Sequence, residues 1–520
     1  MKDLFEAFDL SNSAVFDLSR IPQLLQYDAQ NPMIFSSGIF FVLFFLFFSL
    51  YALLYRCNTA RILYVVAFSL FFYYKSSGWF FLLLIGTATS DFLIGKAMAA
   101  TPNKHRRLGW LLLSICINLG LLGYFKYFNF LGEMGASLLH SIGVWSGNSA
   151  LEQTSWEAWD IFLPVGISFY TFQTMSYIID LYRGQIKPLH HWIDYIFYVS
   201  FFPQLVAGPI VRAKEFIPQI RKRPIVTSED LGRAVFLILC GLFKKVIISD
   251  YISLNFVDRI FDAPELYTGF ENLLGLYGYA LQIYCDFSGY SDMAIGLALL
   301  MGFSFPVNFL YPYQSATITE FWRRWHISLS SWLKDYLYIS LGGNRKGKLR
   351  TYINLLLTML IGGLWHGAAI RFILWGGIHG LALAIHKGIM HIFPKTKADG
   401  NQMKPINRIL GTLFTFHLVV FAWLFFRAPD MSTVYSVLNR IAYHFHPELI
   451  GQVISGYSLV FSLMFVGYVL HFLPQKVYDA IQGKITRSPL ILKAVYLVVM
   501  IYIVFQAKSA DVQPFIYFQF

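Results

Sequence analysis

Charged residues are scarce in this 520-residue chain. Asp, Glu, Lys and Arg make up 13% of it, while hydrophobic residues make up 56%. A soluble domain carries about 25% charged residues. The composition therefore excludes an ordinary soluble protein and indicates one polytopic membrane domain.

The net charge of +12 does not indicate a nucleic-acid-binding protein, because the basic residues are concentrated in short loops between apolar runs. Short loops rich in Lys and Arg mark the cytoplasmic side of a membrane protein. We therefore predict no nucleic acid partner and place four loops in the cytoplasm: Lys104–Arg107, Arg212–Arg223, Arg345–Arg350 and Lys395–Arg408.

Cysteine is also rare, and no two of the four cysteines have CxxC spacing: Cys57, Cys116, Cys240 and Cys285. This spacing excludes a recognisable disulfide framework, zinc knuckle or haem attachment site. We expect all four to be buried free thiols, because free cysteine is among the most buried residue types. The acidic first thirty residues do not resemble a cleavable signal peptide, so we expect the first span to be retained.

Three further patterns are missing. There is no obvious internal repeat, which weighs against an inverted-repeat transporter. There is no GxSxG elbow of a serine esterase. The glycine pairs Gly362–Gly363 and Gly376–Gly377 do not follow a strand, so they are not nucleotide loops, and we expect them to let two helices approach closely.

Apolar segments, in contrast, recur from end to end. A spanning helix needs about twenty mostly apolar residues. The sequence predicts an all-α polytopic membrane protein of roughly 11–13 apolar segments: 35–55, 62–74, 79–94, 108–130, 162–182, 192–211, 231–252, 273–301, 352–365, 372–393, 409–426, 459–472 and 490–505.

Two of these regions do not fit simple spans. Loop charge places Glu133–Asp160 and Asp258–Glu271 outside, yet counting spans then puts the basic loop after Trp192–Val211 on the wrong side. Trp192–Val211 contains Pro203 and Pro209, so we predict a broken or re-entrant segment. Thr317–Gly343 is too charged to span, and we predict an interfacial helix or one that dips into the protein.

The candidate site residues form a short list of ionisable side chains in or beside apolar segments: Asp286, Asp292, His326, His366 and His379. An ionisable side chain at bilayer depth is costly and is a functional-site hypothesis by default. Imidazole exchanges protons near neutral pH, so we expect His366, in the segment Leu364–Gly367, to act as a general base. The alternative is an interhelical hydrogen bond.

Asp286 and Asp292 are six residues apart, about 120° out of phase on a helix, so they do not form a shared acid–base pair. We expect them to form ion pairs with Arg323 or Arg324. A metal site built from His326, His366, His379 and Asp286 lacks the local spacing of zinc sites, and none is predicted.

The block Phe321–Asp335, which reads FWRRWHISLSSWLKD, resembles the signature of bacterial membrane-bound O-acyltransferases (MBOAT). It is most similar to the alginate and peptidoglycan O-acetyltransferase branch. Three further motifs match that branch in the same order: Phe202–Pro209, Asp286–Asp292 and Gly363–Gly367. The resemblance runs from Pro32 to the C-terminus and predicts one MBOAT-type domain over residues 32–520. Residues 1–31 are an unassigned extension.

The resemblance implies that His366 is the invariant catalytic histidine and His326 the second essential one. It implies an acyl-CoA-dependent enzyme of the bacterial inner membrane, which uses acetyl-CoA as a substrate without a bound cofactor and delivers acetyl to an extracytoplasmic polysaccharide. A D-alanyl transferase acting on teichoic acid is the alternative within the superfamily. A proton-coupled transporter is the alternative from another class.

The last six residues, Phe515–Phe520, read FIYFQF. Aromatic residues at this place could simply anchor the last helix at the membrane surface. The pattern Phe-x-Tyr-x-x-Phe also resembles a C-terminal motif of bacterial acyl-transfer systems, which implies that Tyr517 is an acyl carrier. The expected recipient is an extracytoplasmic SGNH-type acetyltransferase.

Overall fold

The computed structural model describes residues 21–29, 31–392 and 404–507. Every regular element within these ranges is helical, and none is a strand. The predicted all-α class is therefore confirmed. The C-terminal motif around Tyr517 lies outside the described residues.

The first part of the chain forms helices that run from Ile21 to Glu152. They are α1 Ile21–Leu25, α2 Gly38–Leu54, α3 Asn58–Ser77, α4 Phe81–Ala100, α5 Lys104–Leu122, α6 Phe128–Ser146 and α7 Ser149–Glu152. A π-helical turn, π1 (Gly123–Tyr127), joins α5 to α6 without a break.

The middle of the chain contains the broken helices and the longest one. Its elements are α8 Ile167–Tyr182, α9 Trp192–Ser200, α10 Phe202–Leu205, α11 Ala213–Ile220, α12 Ser228–Leu242, π2 Phe243–Asp250, π3 Ser253–Val257, α13 Asp258–Asp262 and α14 Gly269–Leu300. The long helix α14 begins with a capping box between Thr268 and Glu271, which satisfies free backbone donors at its first turn.

The last part carries the FWRRWHIS block and the C-terminal helices. Its elements are α15 Ile318–Arg324, α16 Ile327–Trp332, π4 Leu333–Tyr338, α17 Lys348–His366, α18 Ile370–Ile392, α19 Pro405–Arg427, α20 Met431–Tyr443, α21 Ile450–Gly456, α22 Ser458–Phe472, α23 Gln475–Arg487 and α24 Leu490–Ala507.

Five helical runs in the described ranges are long and apolar enough to cross a membrane: Asn58–Ala100, Lys104–Ser146, Ile370–Ile392, Pro405–Arg427 and Leu490–Ala507. A sixth candidate is the pair Pro447–Gly456 and Ser458–Phe472, which bends by 88°. The other predicted apolar segments also form helices, but these are shorter or more polar. The chain is a multi-pass membrane protein.

The predicted break in Trp192–Val211 is confirmed. Helix α9 ends at Ser200, the short α10 follows, and residues 206–212 are irregular. Other elements satisfy backbone groups here: Tyr198 donates to the Val211 carbonyl at 3.0 Å, and the Ile210 N–H donates to Ser328 Oγ at 3.0 Å. Irregular backbone at membrane depth requires such protein cover.

Thr317–Gly343 does not form one interfacial helix. It consists of α15, α16 and π4, with a sharp break at Trp325–His326. Trp325 and His326 are fully buried, and Trp332 and Tyr336 are nearly so. The segment therefore dips into the protein, which was the second of the two predicted arrangements.

The glycine prediction is also confirmed, at Gly363 and Gly376. A Cβ atom added to Gly363 would meet the Phe372 carbonyl oxygen, and one added to Gly376 would meet the Met359 carbonyl oxygen. Helices α17 and α18 therefore approach backbone to backbone, which fixes the hairpin that carries His366.

All four cysteines are free thiols, but their predicted burial is wrong for two of them. Cys285 is buried and Cys240 is half-buried, whereas Cys57 and Cys116 are exposed on the protein surface. Cys57 precedes α3 in the short link after α2, and Cys116 lies on α5, where an apolar side chain gains nothing from burial in protein over exposure to lipid tails.

Candidate active site

His366 is the last residue of α17, and only 3% of its surface is exposed. Its ring meets the rings of Trp375 and Phe426 edge-on, with centroid distances of 5.1 and 5.2 Å. Trp375 comes from α18 and Phe426 from α19, so three helices enclose the imidazole. An apolar enclosure excludes water and strengthens any electrostatic interaction inside it.

Two side chains from π1 hold the end of α17. Lys126 Nζ donates to the carbonyl oxygens of Trp365 and His366 at 2.9 and 2.8 Å. Tyr127 donates to the Leu364 carbonyl at 2.8 Å. The last four carbonyls of a helix have no partner within the helix, and these contacts satisfy three consecutive ones. They fix the backbone on which His366 stands.

The helical form of π1 explains how two consecutive residues reach the same helix end. A π-turn widens the helix locally and shifts the register of the side chains, and such turns are frequent at functional sites. In π1 it directs both Lys126 and Tyr127 toward α17.

His326 is fully buried and its ring orientation is fixed by Asn308. His326 Nδ1 lies 3.2 Å from Asn308 Oδ1, which also accepts from the Ser328 hydroxyl at 2.9 Å. An amide oxygen only accepts, so Nδ1 carries the proton and Nε2 is the basic nitrogen. Nε2 is buried and forms no hydrogen bond within the described part of the chain.

The backbone at His326 is in the left-handed region, with φ of 41°. A non-glycine residue in this region costs roughly 1–3 kcal/mol and persists only where its surroundings enforce it. Here the Ile327 N–H donates to the Asn308 carbonyl at 2.9 Å, so Asn308 holds both the backbone and the ring. The turn allows His326 to face inward between α15 and α16.

The two predicted histidines share one aromatic environment. The Trp365 ring lies 4.9 Å from His366 and 6.5 Å from His326, centroid to centroid. Phe172 of α8 stacks on Trp332 at 3.8 Å and on Trp365 at 5.1 Å. This stack ties the FWRRWHIS segment to the end of α17, so the structure brings His326 and His366 into the same site.

Two adjacent cavities open beside His366. The first, which we call the His366 pocket, has a volume of about 40 Å³ and is lined by Lys126, Phe169, Val206, Trp365 and His366, among others. The second, the Arg371 cavity, has a volume of about 320 Å³ and is lined by Lys126, Asn129, Leu163, Arg371 and Phe372, among others. Lys126 and Leu163 line both, so they stand at the junction.

The expected pairing of Asp286 and Asp292 with Arg323 or Arg324 is wrong. Asp286 pairs with Lys245 at 2.6 Å, and Asp292 pairs with Lys244 at 2.6 Å. The cause is a close helix crossing: a Cβ at Gly289 would meet the Gly241 carbonyl and the backbone of Lys245. The π-helical start of π2 then places both lysines against the Asp-bearing face of α14.

Arg323 and Arg324 lie on α15 and have other surroundings. Arg324 pairs with Glu320 one turn earlier in α15, at 2.7 Å, and Arg408 reaches the same carboxylate at 3.6 Å. Arg323 is exposed on α15. The ion pairs of Arg324 and Arg408 with Glu320 join α15 to the start of α19.

His379 lies in α18, fully buried among aromatic rings. Its ring is 4.9 Å from Trp375 and 5.1 Å from Trp322. Trp375 thus separates His379 from His366. Neither ring nitrogen of His379 has a hydrogen-bond partner within the described residues.

No group of three or more His, Cys, Asp or Glu side chains within the described ranges is arranged to hold a metal ion. His326, His366, His379 and Asp286, the set considered from sequence, do not form a coordination sphere.

Sequence reasoning missed Lys126 and Asn308. The sequence could have indicated Lys126, because it is a lone charge in the apolar run 108–130. Asn308 had none, because a single amide in a loop has no distinctive pattern.

The family model described as membrane-bound O-acyltransferase matches residues 185–427. Among curated proteins, the chain is 41% identical over 405 residues to a protein of Pseudomonas syringae pv. tomato named "Probable alginate O-acetylase AlgI". That match covers 77% of this chain and 73% of the relative.

Two further relatives carry other names. A peptidoglycan O-acetyltransferase of Helicobacter pylori is 37% identical over 404 residues, covering 72% of this chain and 73% of the relative. A teichoic acid D-alanyltransferase of Bacillus subtilis is 31% identical over 281 residues, covering 50% of this chain and 68% of the relative. The chain therefore belongs to the membrane-bound O-acyltransferase family and is an O-acyltransferase.

Proposed function

We propose that this protein is a membrane O-acetyltransferase that moves acetyl from cytosolic acetyl-CoA toward hydroxyl groups of an extracytoplasmic polysaccharide. The observation that carries the proposal is the place of His366, enclosed by three helices and facing a pocket that adjoins a larger cavity. The named activities of the two relatives that cover most of the chain support acetyl as the group and a glycan as the acceptor.

The depth of His366 supports delivery to the outer side. Helix α17 starts in the basic loop at Lys348 and has 19 residues, so its far end lies about 28 Å away. Helix α5 starts at the basic loop Lys104 and also has 19 residues before π1. The hydrocarbon core is about 30 Å thick. If the basic loops are cytoplasmic, His366 and Lys126 lie near the outer surface.

In the proposed reaction, His366 takes the proton of the acceptor hydroxyl as its oxygen attacks the carbonyl carbon of the acetyl thioester. A tetrahedral oxyanion forms, the carbon–sulfur bond breaks, and the thiolate leaves. The proton held by His366 neutralises the thiolate, which gives an acetyl ester and free CoA. Acetyl-CoA is a substrate in this scheme, and no bound cofactor is needed.

His326 supports this step from its fixed tautomer. Its basic Nε2 is buried beside the rings that also enclose the end of α17. We assign it to orienting the reactants or lining the path of the donor, because Asn308 already fixes its other nitrogen.

We further propose that Tyr517 is a transient acyl carrier at the outer end of the chain. It would accept acetyl in a step that depends on His366 and pass it to an extracytoplasmic SGNH-type acetyltransferase. The location would be the bacterial inner membrane. The basic end of α23 supports an outward-facing C-terminus, because Lys484 and Arg487 in its last turn precede one further apolar helix.

D-alanyl transfer for teichoic acid is the second candidate. The relative with that name matches about half of this chain, against more than 70% for the two acetyltransferases, so acetyl transfer is preferred. A proton-coupled transporter is set aside because the chain belongs to an acyltransferase family.

The test uses purified full-length protein in lipid nanodiscs with radiolabelled acetyl-CoA and, separately, a D-alanyl-loaded carrier protein. Label is offered to uronate polymers, peptidoglycan strands and teichoic acid. Transfer from acetyl-CoA, or labelling of the protein itself, is the expected result. Transfer only from the D-alanyl carrier would support the second candidate, and no transfer from either donor would overturn acyl delivery by this chain alone.

His366→Ala tests the assignment of the base. Loss of a general base typically lowers the rate by about 10²–10⁴. His417→Ala is the matched control. His417 is exposed on α19, and the hydrogen bond of its ring within the described residues is to the Leu413 carbonyl on the same helix. We expect His417→Ala to keep wild-type activity. If His366→Ala also keeps more than about a tenth of it, His366 is not the base.

A further inference from the structure

We propose that Lys126 is a further catalytic residue. Its ammonium group holds the end of α17 and also presents positive charge to the carbonyl oxygen of the acetyl group during transfer. This inference rests on the proposed acyl-transfer function and assigns one more residue to the same site.

The first observation is the charge of Lys126. No carboxylate within the described residues lies within 4.0 Å of its ammonium group. The two lysines of π2 differ in this respect: the buried Lys245 has Asp250 and Asp286, and the half-buried Lys244 has Asp292. Burying a cation without a counter-charge is expensive. The described part of the chain therefore gives Lys126 no carboxylate partner, so its amino group is directed at the two backbone carbonyls and at the cavities it lines.

The second observation is the geometry of the donors. An ammonium group has three N–H donors. Two of them are used by the carbonyls of Trp365 and His366, and these bonds fix the position of Nζ. The remaining donor is available to the His366 pocket and the Arg371 cavity, since Lys126 lines both.

These features match what the reaction needs. When the acceptor oxygen attacks the thioester, the electron pair of the carbonyl double bond moves onto oxygen and creates an oxyanion. When the carbon–sulfur bond breaks, the pair returns, the double bond re-forms and the thiolate leaves. A pre-positioned cation with a free N–H stabilises the oxyanion only while it exists, which lowers the barrier without tightening substrate binding.

The alternative is that Lys126 only caps a helix, and another lysine of this chain shows what such a cap looks like. Lys493 Nζ donates to the carbonyls of Thr486 and Ser488 at 2.9 and 2.7 Å, and it lines neither cavity beside His366. Lys493→Met therefore removes the same kind of contact far from the site. Tyr127→Phe removes one capping bond at the site without changing charge.

The experiment measures kcat and KM for acetyl-CoA in nanodiscs for Lys126→Met, Tyr127→Phe and Lys493→Met. Removal of one oxyanion donor typically lowers kcat by about 10²–10³. We expect that loss for Lys126→Met with KM changed by less than about threefold, a loss of only a few-fold for Tyr127→Phe, and near wild-type kinetics for Lys493→Met. If Lys126→Met loses no more kcat than Tyr127→Phe, the proposal is overturned.

Two further variants separate the charge from the cap and serve if Lys126→Met does not insert. Lys126→Arg keeps the charge, while Lys126→Gln keeps N–H donors without it. The proposal expects Arg to retain at least about tenfold more kcat than Gln. Equal kcat, or a more active Gln variant, would overturn it. A wild-type protein that transfers no acetyl would refute the proposed function, whereas an active Lys126→Gln beside an active wild type refutes this inference alone.

Discussion

Asn308 Oδ1 accepts a hydrogen bond from Nδ1 of His326 at 3.2 Å, and this contact sets the tautomer of the histidine. The amide group is itself held, because its nitrogen donates to Ser291 Oγ at 3.1 Å. Ser291 lies on α14 and His326 between α15 and α16, so the contact links the FWRRWHIS segment to the longest helix. The motif residues 286–292 therefore contribute to the site through Ser291 as well as through their ion pairs.

The first prediction concerns Asn308→Ala. The change frees the His326 ring to rotate and to exchange tautomers, and a misplaced group of this kind costs roughly 10- to 100-fold in kcat. Asn255→Ala is the matched control, because the Asn255 amide donates only to the Tyr251 carbonyl one turn earlier. Steady-state acetyl transfer would be compared for both. An Asn308→Ala enzyme with wild-type kcat would show that the His326 tautomer is irrelevant to the reaction.

The second prediction concerns the α17–α18 hairpin. Gly376→Ala places a methyl group against the Met359 carbonyl, so the helices must separate. Overpacking of this kind costs about 1–3 kcal/mol, and it also shifts the backbone that carries His366. Gly109→Ala is the control, since nothing lies within 4 Å of a Cβ there. We expect a lower thermal midpoint and lower activity for Gly376→Ala only. Equal thermal midpoints would contradict the close approach of the two helices.

The third prediction concerns the buried cluster of Lys245, Asp250 and Asp286. Lys245→Met leaves two carboxylates without their cation, and breaking a buried pair costs about 3–5 kcal/mol. The triple variant Lys245→Met/Asp250→Asn/Asp286→Asn removes the charges together, and we expect it to be more stable than Lys245→Met. Thermal unfolding in detergent compares them. A single variant as stable as wild type would mean that these ion pairs do not stabilise the fold.

Much of the helical architecture follows from the sequence, because apolar length and glycine position are local properties. The start of α17 beyond a basic loop and the break after Ser200 were both predictable from such patterns. The glycine pairs also identified the close contact between α17 and α18 correctly, because a missing side chain has one simple packing consequence.

The partners of the charged residues did not follow in the same way. Asp286 pairs with Lys245 because π2 shifts the register of its side chains against α14. No local sequence pattern predicts a π-turn. Lys126 was missed for the same reason. Its contact with the end of α17 depends on π1, and the two lie some 240 residues apart in the chain. Contacts between distant helices are set by packing, so the sequence drew attention to His366 but not to the side chains that hold it.

The fourth prediction concerns topology. Glu157→Cys should react with a membrane-impermeant thiol reagent added outside cells, whereas Lys222→Cys should not, because we expect the broken segment 192–211 to be re-entrant and the basic loop after it to be cytoplasmic. Both positions are exposed. Cys57 and Cys116 are exposed as well and must first be replaced by Ser. Reaction of Lys222→Cys from outside would show that the segment crosses the membrane.

The last prediction concerns Tyr517 near the C-terminus. A phenol has a pKa of about 10, so it needs a base to become a nucleophile at neutral pH, and His366 is the proposed base. Tyr517→Phe keeps the aromatic ring but removes the nucleophilic oxygen. We expect this variant to lose glycan O-acetylation in cells, measured as ester content of the isolated polysaccharide, while protein levels stay unchanged.

Tyr502→Phe is the matched control, because Tyr502 is an exposed ring on α24. Normal O-acetylation by Tyr517→Phe would leave Tyr517 with an anchoring role only, and acetyl would then have to pass from the donor to its acceptor without this carrier.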